Sequence, residues 1–296
     1  MKTMQGRTVF ITGGSRGIGR AIAIKAAQAG ANVVIAAKTA VETPKLLGTI
    51  YSVAEEIKAA GGKALPLILD VREEQKIHSA IQHTVETFGG IDVLINNAAV
   101  SGFGLLEGYS IDQVRRMFDV NVYSVLRMYQ AVLPSMRKER NGLVINITTG
   151  ASGHTLPFMV PYIASKLVVE SFTEGLQDEL ADYGIENVSI QPGVYPTEMN
   201  NGSKAGIHAD KTEIIEEYGE SATEKFNALG TALFGKMAQF DMNPQTIADG
   251  ILELVNMKKG ERPLRFPLDA IAQGTDKEFI EARAAIKAKW VAAYTN

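Results

Sequence analysis

Tyr162 and Lys166 stand four residues apart in a stretch, residues 161–182, whose apolar positions recur at helical spacing. On a helix such a pair shares a face. A lysine ammonium beside a phenol favours the phenolate and lowers a pKa that is ordinarily about 10. That makes Tyr162 a candidate general acid for a carbonyl oxygen. The other reading is a plain Tyr/Lys pair on a helix surface. No other Tyr-x-x-x-Lys occurs among the nine tyrosines.

A second chemical stretch lies at Thr8–Ala27. Val9-Phe10-Ile11 is too short for a helix and rich enough in branched and aromatic residues for a buried strand. Thr12-Gly13-Gly14-Ser15-Arg16-Gly17-Ile18-Gly19 follows, and then Ile18, Ile22, Ala26 and Ala29 recur at helical spacing. Strand, glycine turn and helix form a cradle for a dinucleotide pyrophosphate. Glycines admit positive φ and close backbone approach, and the helix N-terminus favours an anion. The glycine spacing departs from the common G-x-G-x-x-G fingerprint. The structural alternative is simply a tight strand-to-helix connection.

Charge near the turn bears on the choice of dinucleotide. NAD sites place a carboxylate about 20 residues past the turn, on the ribose 2′-hydroxyl. Here that strand ends Ala36-Ala37-Lys38, and Arg16 lies in the turn. Two cations without an anion suit the 2′-phosphate of NADP(H); as solvated surface cations they would carry no such meaning.

The elements that must position these residues alternate regularly. Strands are expected at 32–37, 64–71, 91–95, 143–148 and 188–191, with Pro66 marking an edge or a strand end. Helices are expected at 52–60, 73–88, 111–138 and 161–182. This rhythm predicts an α/β fold: a doubly wound, Rossmann-type parallel sheet with helices on both faces and ligands at the carboxyl ends of its strands. Two stretches interrupt it. Residues 38–51 form a long connection, and residues 200–240 a helical excursion after the sixth strand, placed to act as a substrate lid. Ordinary surface packing explains the same apolar spacing. Beyond lie a helix at 244–257, an edge strand at 263–266 and a final helix at 277–293. No repeat or linker composition divides the chain, so residues 1–296 are expected to form one domain.

Composition narrows the classes. The 296 residues carry a net charge of −3, which leaves no basic footprint for nucleic acid. There is no cysteine, which removes disulfides and thiolate chemistry and fits a reducing compartment. The N-terminus runs straight into the first strand without a signal-like stretch, and no apolar run is long enough for a membrane helix. A cytoplasmic protein is expected. His78, His83, His154 and His208 are scattered without ligand spacing, so no metal site is expected. Asn-x-Ser/Thr triplets at Asn146, Asn187 and Asn201 are read as chance matches.

Taken jointly, Thr12-Gly13-x-x-x-Gly17-x-Gly19, Asp70, Asn96-Asn97-Ala98-Ala99, Asn121, Tyr162-x-x-x-Lys166 and Pro192-Gly193-x-x-x-Thr197 resemble the short-chain dehydrogenase/reductase family in order and spacing. The similarity is close over residues 6–199 and loose over 244–266. The 38–51 loop, with its Lys-Leu-Leu-Gly-Thr-Ile run, is locally similar to hydroxysteroid-dehydrogenase-like members.

The resemblance implies hydride transfer between NADP(H) and a carbonyl or alcohol, by a homodimer or homotetramer. Tyr162 would donate the proton. Lys166 would tune it and hold the nicotinamide ribose, and Asn121 would anchor a relay water. Gly13, Ser15, Arg16, Gly17, Ile18 and Gly19 would cradle the phosphates, with Lys38 toward the 2′-phosphate. Asp70 and Val71 would meet the adenine, and Asn97 and Ala98 would line the adenosine. Pro192, Gly193, Val194 and Thr197 would hold the nicotinamide, with Thr197 on its carboxamide. Thr12 is read as structural.

Two positions depart from the pattern. Ala99 stands where the family has glycine, and Thr149 where it has the catalytic serine. Threonine keeps the donor and acceptor of the hydroxyl but restricts χ1; Ser152 is the alternative hydroxyl at the wrong spacing, and a strand-end cap is the structural alternative for Thr149. The apolar lid suggests a hydrophobic substrate, with His154, Leu156, Phe158 and Met159 lining its pocket or packing in the core. A nucleotide-binding regulator with impaired catalysis is the alternative function. A nucleotide-sugar epimerase or dehydratase fits poorly.

Overall fold

The computed structural model describes residues 3–42, 48–199 and 206–295. Its centre is a seven-stranded sheet in the order β3-β2-β1-β4-β5-β6-β7. The strands are β1 (Thr8–Thr12), β2 (Asn32–Ala37), β3 (Lys63–Ile68), β4 (Val93–Asn96), β5 (Gly142–Ile147), β6 (Ile185–Pro192) and β7 (Arg265–Leu268). Every neighbouring pair is parallel. The helices are α1 (Gly17–Gln28), α2 (Ile50–Ala59), α3 (Glu74–Phe88), α4 (Ile111–Phe118), α5 (Ser124–Glu139), α6 (Val160–Ala181), α7 (Thr212–Glu217), α8 (Gly219–Met237), α9 (Pro244–Asn256) and α10 (Thr275–Thr295).

Because strand side chains alternate between faces, each strand feeds two cores. Val9 and Ile11 join Val33, Ile35, Val93 and Ile95 beneath α1, α2 and α9. Phe10 joins Val34, Leu94 and Val144 beneath α3, α5 and part of α6. These strand residues are fully or almost fully buried, so the sheet reads as the near-continuous apolar runs found in its sequence.

The expected doubly wound sheet is present, with shifted boundaries. Strand β3 occupies the edge, where Pro66 removes no ladder donor from an interior strand. Strand β7 forms the opposite edge and starts at Arg265. The helix expected over 111–138 is broken: a π-helical turn, Asp119–Tyr123, separates α4 from α5. After β6 come α7 and α8, neither of which buries a residue. Residues 43–47 of the expected 38–51 loop and residues 200–205 of the 200–240 excursion, Asn201 among them, lie outside the described residues. Asn146 and Asn187 are buried, which excludes both as surface glycosylation acceptors.

The strand order reverses between β1 and β4. Ligands of such sheets bind in the crevice that this reversal opens beyond the strand ends. The glycine turn after β1 and the Asn96–Ala99 segment after β4 therefore flank one crevice.

Candidate active site

The glycine turn and the Asn97–Ala98 backbone lie in direct apposition. Gly13 has φ +70, and a Cβ there would stand 2.9 Å from Ala98 Cα. A Cβ on Gly19 would stand 2.3 Å from the Gly13 carbonyl oxygen and 2.6 Å from Asn97 Nδ2. Only glycine permits this approach of α1 to β1. Gly17 has φ +51, and a Cβ there would meet the Thr197 side chain at 3.3 Å. The segment after β6 is thus brought onto the start of α1.

Polar side chains lock this arrangement. Thr12 Oγ1 donates to the Ile95 carbonyl at 3.3 Å and accepts from the Asn97 and Ala98 N–H groups at 3.0 and 3.1 Å. Asn97 Nδ2 donates to the Thr12 and Gly13 carbonyls at 2.9 and 3.1 Å. The Asn97 and Thr12 side chains both fasten the turn. Ser15 is buried, while Ile18, Ala98, Gly193, Val194 and Thr197 are half-buried around the crevice. Pro192 and Val71 are buried, Val71 within the core beneath α3.

Arg16 donates from Nη2 to the Gly48 carbonyl at 3.0 Å, and its Nε is shielded from solvent without a hydrogen-bond partner. Burial lowers its pKa, opposed by the nearby Glu198 carboxylate. Lys38 is exposed at the end of β2. A dinucleotide fits these residues by two structural signs: a glycine turn, packed too closely for any Cβ, that opens the N-terminus of α1, and a buried guanidinium N–H left unsatisfied. Asp70 is already occupied: its two oxygens accept Arg72 Nε at 3.0 Å and Nη2 at 2.6 Å. The Arg72 hydrogen bonds hold its carboxyl down at about 2.

On the other side of the crevice, α6 presents Tyr162, Lys166 and Glu170 one turn apart on one face. Lys166 is buried and donates from Nζ to the Ile147 carbonyl at 2.9 Å. That nitrogen lies 6.0 Å from the Tyr162 ring centroid. Burial pushes the Lys166 ammonium down to about 8 and the Tyr162 phenol up to about 12. Desolvation by burial decides the Tyr162 shift, reversing the lowering expected from the lysine. Tyr162 is 9% exposed.

Asn121 sits in the π turn and is 1% exposed. Its Oδ1 accepts the Val100 N–H at 2.8 Å, and its Nδ2 donates to the Val100 carbonyl and to Ser165 Oγ, both at 2.9 Å. Ser165 in turn donates to the Tyr162 carbonyl at 2.6 Å. One buried chain of hydrogen bonds thus joins the segment after β4, the π turn and the helix carrying Tyr162. The extra residue of a π turn is what rotates Asn121 into this position.

Thr149 follows β5 and caps the 3₁₀ turn Gly150–Gly153, accepting the Ala151 N–H at 3.3 Å. Ser152 is buried, its hydroxyl donating to the Thr149 carbonyl at 2.7 Å, so it is committed to the turn. Met159 and Tyr162 pack with Tyr109, Met117 and Ile163, flanked by Leu156, Phe103 and Ile207. Phe158 holds φ +63, a strained value for a bulky residue, and its ring meets Phe226 of α8 edge-on at 5.4 Å. His154 is exposed. Among the described residues no group of His, Asp and Glu has the arrangement of a metal site.

Several supporting residues carried no motif. Buried Glu170 accepts Thr148 Oγ1 at 2.7 Å, Gln191 Nε2 at 2.8 Å and Arg265 Nε at 2.8 Å, and also Ser189 Oγ. It ties α6 to β6 and β7. Its signal in the sequence is a carboxylate on the apolar face shared with Tyr162 and Lys166. Asp269 covers Gly193, where a Cβ would stand 2.3 Å from its Oδ1. Nothing in the sequence marks that contact.

Residues 7–207 match the family model described as short chain dehydrogenase. Over 220 residues, 72% of the chain, it is 53% identical to hydroxysteroid dehydrogenase-like protein 2 of Rattus norvegicus, spanning 42% of that protein. The chain therefore spans less than half of that curated relative. A short-chain dehydrogenase structure from Streptomyces avermitilis superposes with a TM-score of 0.75 at 25% identity, covering 98% of both chains. Two structures under 25% identical share the fold. One is a metagenomic short-chain oxidoreductase in complex with NADP, with TM-score 0.67, 24% identity and 90% and 98% coverage. The other is a Mycobacterium paratuberculosis short chain dehydrogenase bound to NAD, with TM-score 0.73, 22% identity and 90% and 97% coverage. By its family match and its fold, the chain is a member of the short-chain dehydrogenase/reductase family of oxidoreductases.

Proposed function

We propose that the protein is an NADP(H)-dependent reductase of hydrophobic carbonyl compounds, or the dehydrogenase of the corresponding alcohols. The observation that carries the cofactor choice is Arg16: a buried, unsatisfied guanidinium N–H in the glycine turn, with exposed Lys38 following β2 and no carboxylate ending that strand. A 2′-phosphate satisfies that donor, whereas a bare 2′-hydroxyl leaves Arg16 with only the Gly48 carbonyl and the Glu198 field and Lys38 with the field of Asp70.

When bound, the nicotinamide supplies or accepts the hydride at its C4. The chain's own residues do the rest. Gly13, Ser15, Gly17, Ile18 and Gly19 offer the backbone cradle and helix N-terminus for the pyrophosphate. Asn97 holds that cradle in shape, and Ala98 lines the adenosine. Asp70 and Val71 border the adenine, with Asp70 reaching it only as the Arg72 pair rearranges. Pro192, Gly193, Val194 and Thr197 wall the nicotinamide end. Tyr162 donates its phenolic proton to the carbonyl oxygen, a step favoured by a phenol that burial keeps protonated at neutral pH. Thr149 orients the same oxygen by turning its hydroxyl away from the Ala151 N–H. Lys166 and a water held at Asn121 return the proton from solvent.

Residues 200–240 serve as a lid on the apolar cluster around Tyr162, within a single domain. A homodimer or homotetramer in the cytoplasm completes this reading. The test is NADPH oxidation across a panel of aldehydes and ketones, with Tyr162→Phe as the control. Turnover lost in the variant while NADPH still binds supports the assignment; unchanged turnover removes Tyr162 from the mechanism. A regulator that only binds nucleotide predicts tight NADPH binding with no turnover on any carbonyl.

A further inference from the structure

Two polar atoms next to the Tyr162 cluster are buried without partners: Tyr109 Oη and His208 Nε2. Buried polar groups are nearly always hydrogen-bonded, so such atoms ask for an explanation. Among the described residues only Arg16 Nε and Asn96 Oδ1 share this state. Arg16 belongs to the glycine turn, and Asn96 lies inside the sheet between β1 and β5.

Tyr109 and His208 bracket one short stretch, Ser101–Gly102. Tyr109 Oη stands 3.0 Å from the point a Cβ on Gly102 would occupy. His208 Nε2 and the Ser101 carbonyl stand 2.7 and 3.0 Å from the corresponding point on Gly206. The surroundings are apolar and shared with the catalytic tyrosine, since Tyr109, Met117, Met159 and Tyr162 form one buried cluster with Phe103 and Ile207 against it.

The segment that carries His208 is tied to the body by backbone and side-chain hydrogen bonds. Ile207 N–H donates to the Ser101 carbonyl at 2.8 Å, and Ala209 N–H to that of Phe103 at 3.3 Å. Asp210 and Lys211 N–H both donate to the Gly108 carbonyl, at 3.2 and 3.1 Å. Gln113 Nε2 holds the His208 carbonyl at 2.5 Å, and the His208 ring stacks on Phe103 with centroids 5.9 Å apart. A fold that needed only packing here would be served by phenylalanine and leucine. Burial also pushes the Tyr109 phenol up, so it remains a donor throughout the neutral range.

We propose that Tyr109 Oη and His208 Nε2 form a recognition point for a second oxygen of the substrate. The substrate class is then an apolar carbonyl compound, or its alcohol, carrying a hydroxyl or further carbonyl remote from the reacting carbon. This rests on the oxidoreductase reading above and narrows its substrate. Specificity follows from the unpaired groups, because a site built to bond an oxygen discriminates strongly against the analogue lacking it.

The test uses the full chain with NADPH, methyl ketones of increasing chain length, and the same chains ending in a hydroxyl. At one chain length the hydroxylated probe is expected to exceed its plain analogue by about 100-fold in kcat/KM, mostly through KM. In Tyr109→Phe that ratio falls toward one, and in His208→Leu it falls in part. Without ligand, Tyr109→Phe is expected to melt a few degrees higher than the parent, because a hydroxyl without a partner has been removed. A ratio near one at every chain length, a ratio unchanged in Tyr109→Phe, or a lower melting temperature for that variant overturns the proposal. If no carbonyl oxidises NADPH, the oxidoreductase reading fails, and melting shifts still decide this one. The hydroxylated chain must then stabilise the parent–NADPH complex more than the plain chain does, and that excess must vanish in Tyr109→Phe.

Discussion

On the glycine-turn side of the crevice, Thr12 and Asn97 make five hydrogen bonds that join β1 and the turn after it to β4 and the segment after it. On the opposite side, α7 and α8 follow β6 without burying a single residue, and α8 leaves Phe226 and Phe234 39% and 58% exposed. One side is built from backbone that fits a single partner at close range. The other meets the body through the Phe226–Phe158 edge contact, the Tyr218–Glu107 hydrogen bond and one strap of backbone, Ile207–Lys211. The difference teaches where specificity of each kind resides. Chemistry common to all substrates needs a preorganised frame. Selection among substrates needs a surface that can vary without disturbing that frame.

The sharpest way to break this contrast is to disturb the rigid side. Gly19→Ala places a methyl group 2.3 Å from the Gly13 carbonyl oxygen. We expect NADPH affinity to fall by about 100-fold and stability by about 1–3 kcal/mol, read by fluorescence titration and denaturant unfolding. Affinity within twofold of the parent would mean that the turn is not the tight cradle described.

A second perturbation acts through charge. Lys166 titrates near 8 in the folded chain, well below its ordinary value of about 10.4. Between these values the unfolded chain binds more protons than the folded one. The Lys166 contribution therefore makes the ligand-free protein gain stability as pH rises from about 8 to 10, and none of that gain arises below pH 8. Lys166→Met should lose that rise in pH-dependent melting. In catalysis, kcat/KM for carbonyl reduction should fall as pH climbs through about 8, by up to tenfold per unit, as the ammonium behind Tyr162 is lost. A profile flat to pH 9.5, roughly, would deny Lys166 its part.

The smallest effect is expected on the side of α7 and α8. Phe226→Ala removes the edge contact with Phe158 from an already exposed ring. Stability should change by less than about 1 kcal/mol, while KM for long apolar carbonyls rises about three- to tenfold at constant kcat. A variant that unfolds outright would show α8 to be core rather than cover.

Much of the frame was legible in the chain itself because its physics is local. The β-branched runs of β1, β2 and β5, the glycine turn and the Tyr162/Lys166 pair are short-range patterns that tertiary contacts only reinforce. The π turn was not legible: residues 111–138 read as one helix, and the break at Asp119–Tyr123 appears only once Asn121 must reach Val100 and Ser165. The direction of the Tyr162 shift was missed for a similar reason. Spacing places a lysine beside a phenol but says nothing about how deeply both are buried. Glu170 and Asp269 carried no motif, because their roles depend on β6 and β7 arriving from far along the chain. The unsatisfied pair Tyr109 and His208 was likewise hidden, since an orphaned atom is defined by everything that surrounds it.

The central claim is that this family member uses NADP(H), held by Arg16 and Lys38. Its most direct measurement is the ratio of kcat/KM for NADPH to that for NADH, on one reducible carbonyl, in the parent and in Lys38→Asp with Arg16→Ala. The account predicts a preference of about 100-fold or more for NADPH, lost or inverted in the double variant. Equal use of both cofactors by the parent protein would contradict it.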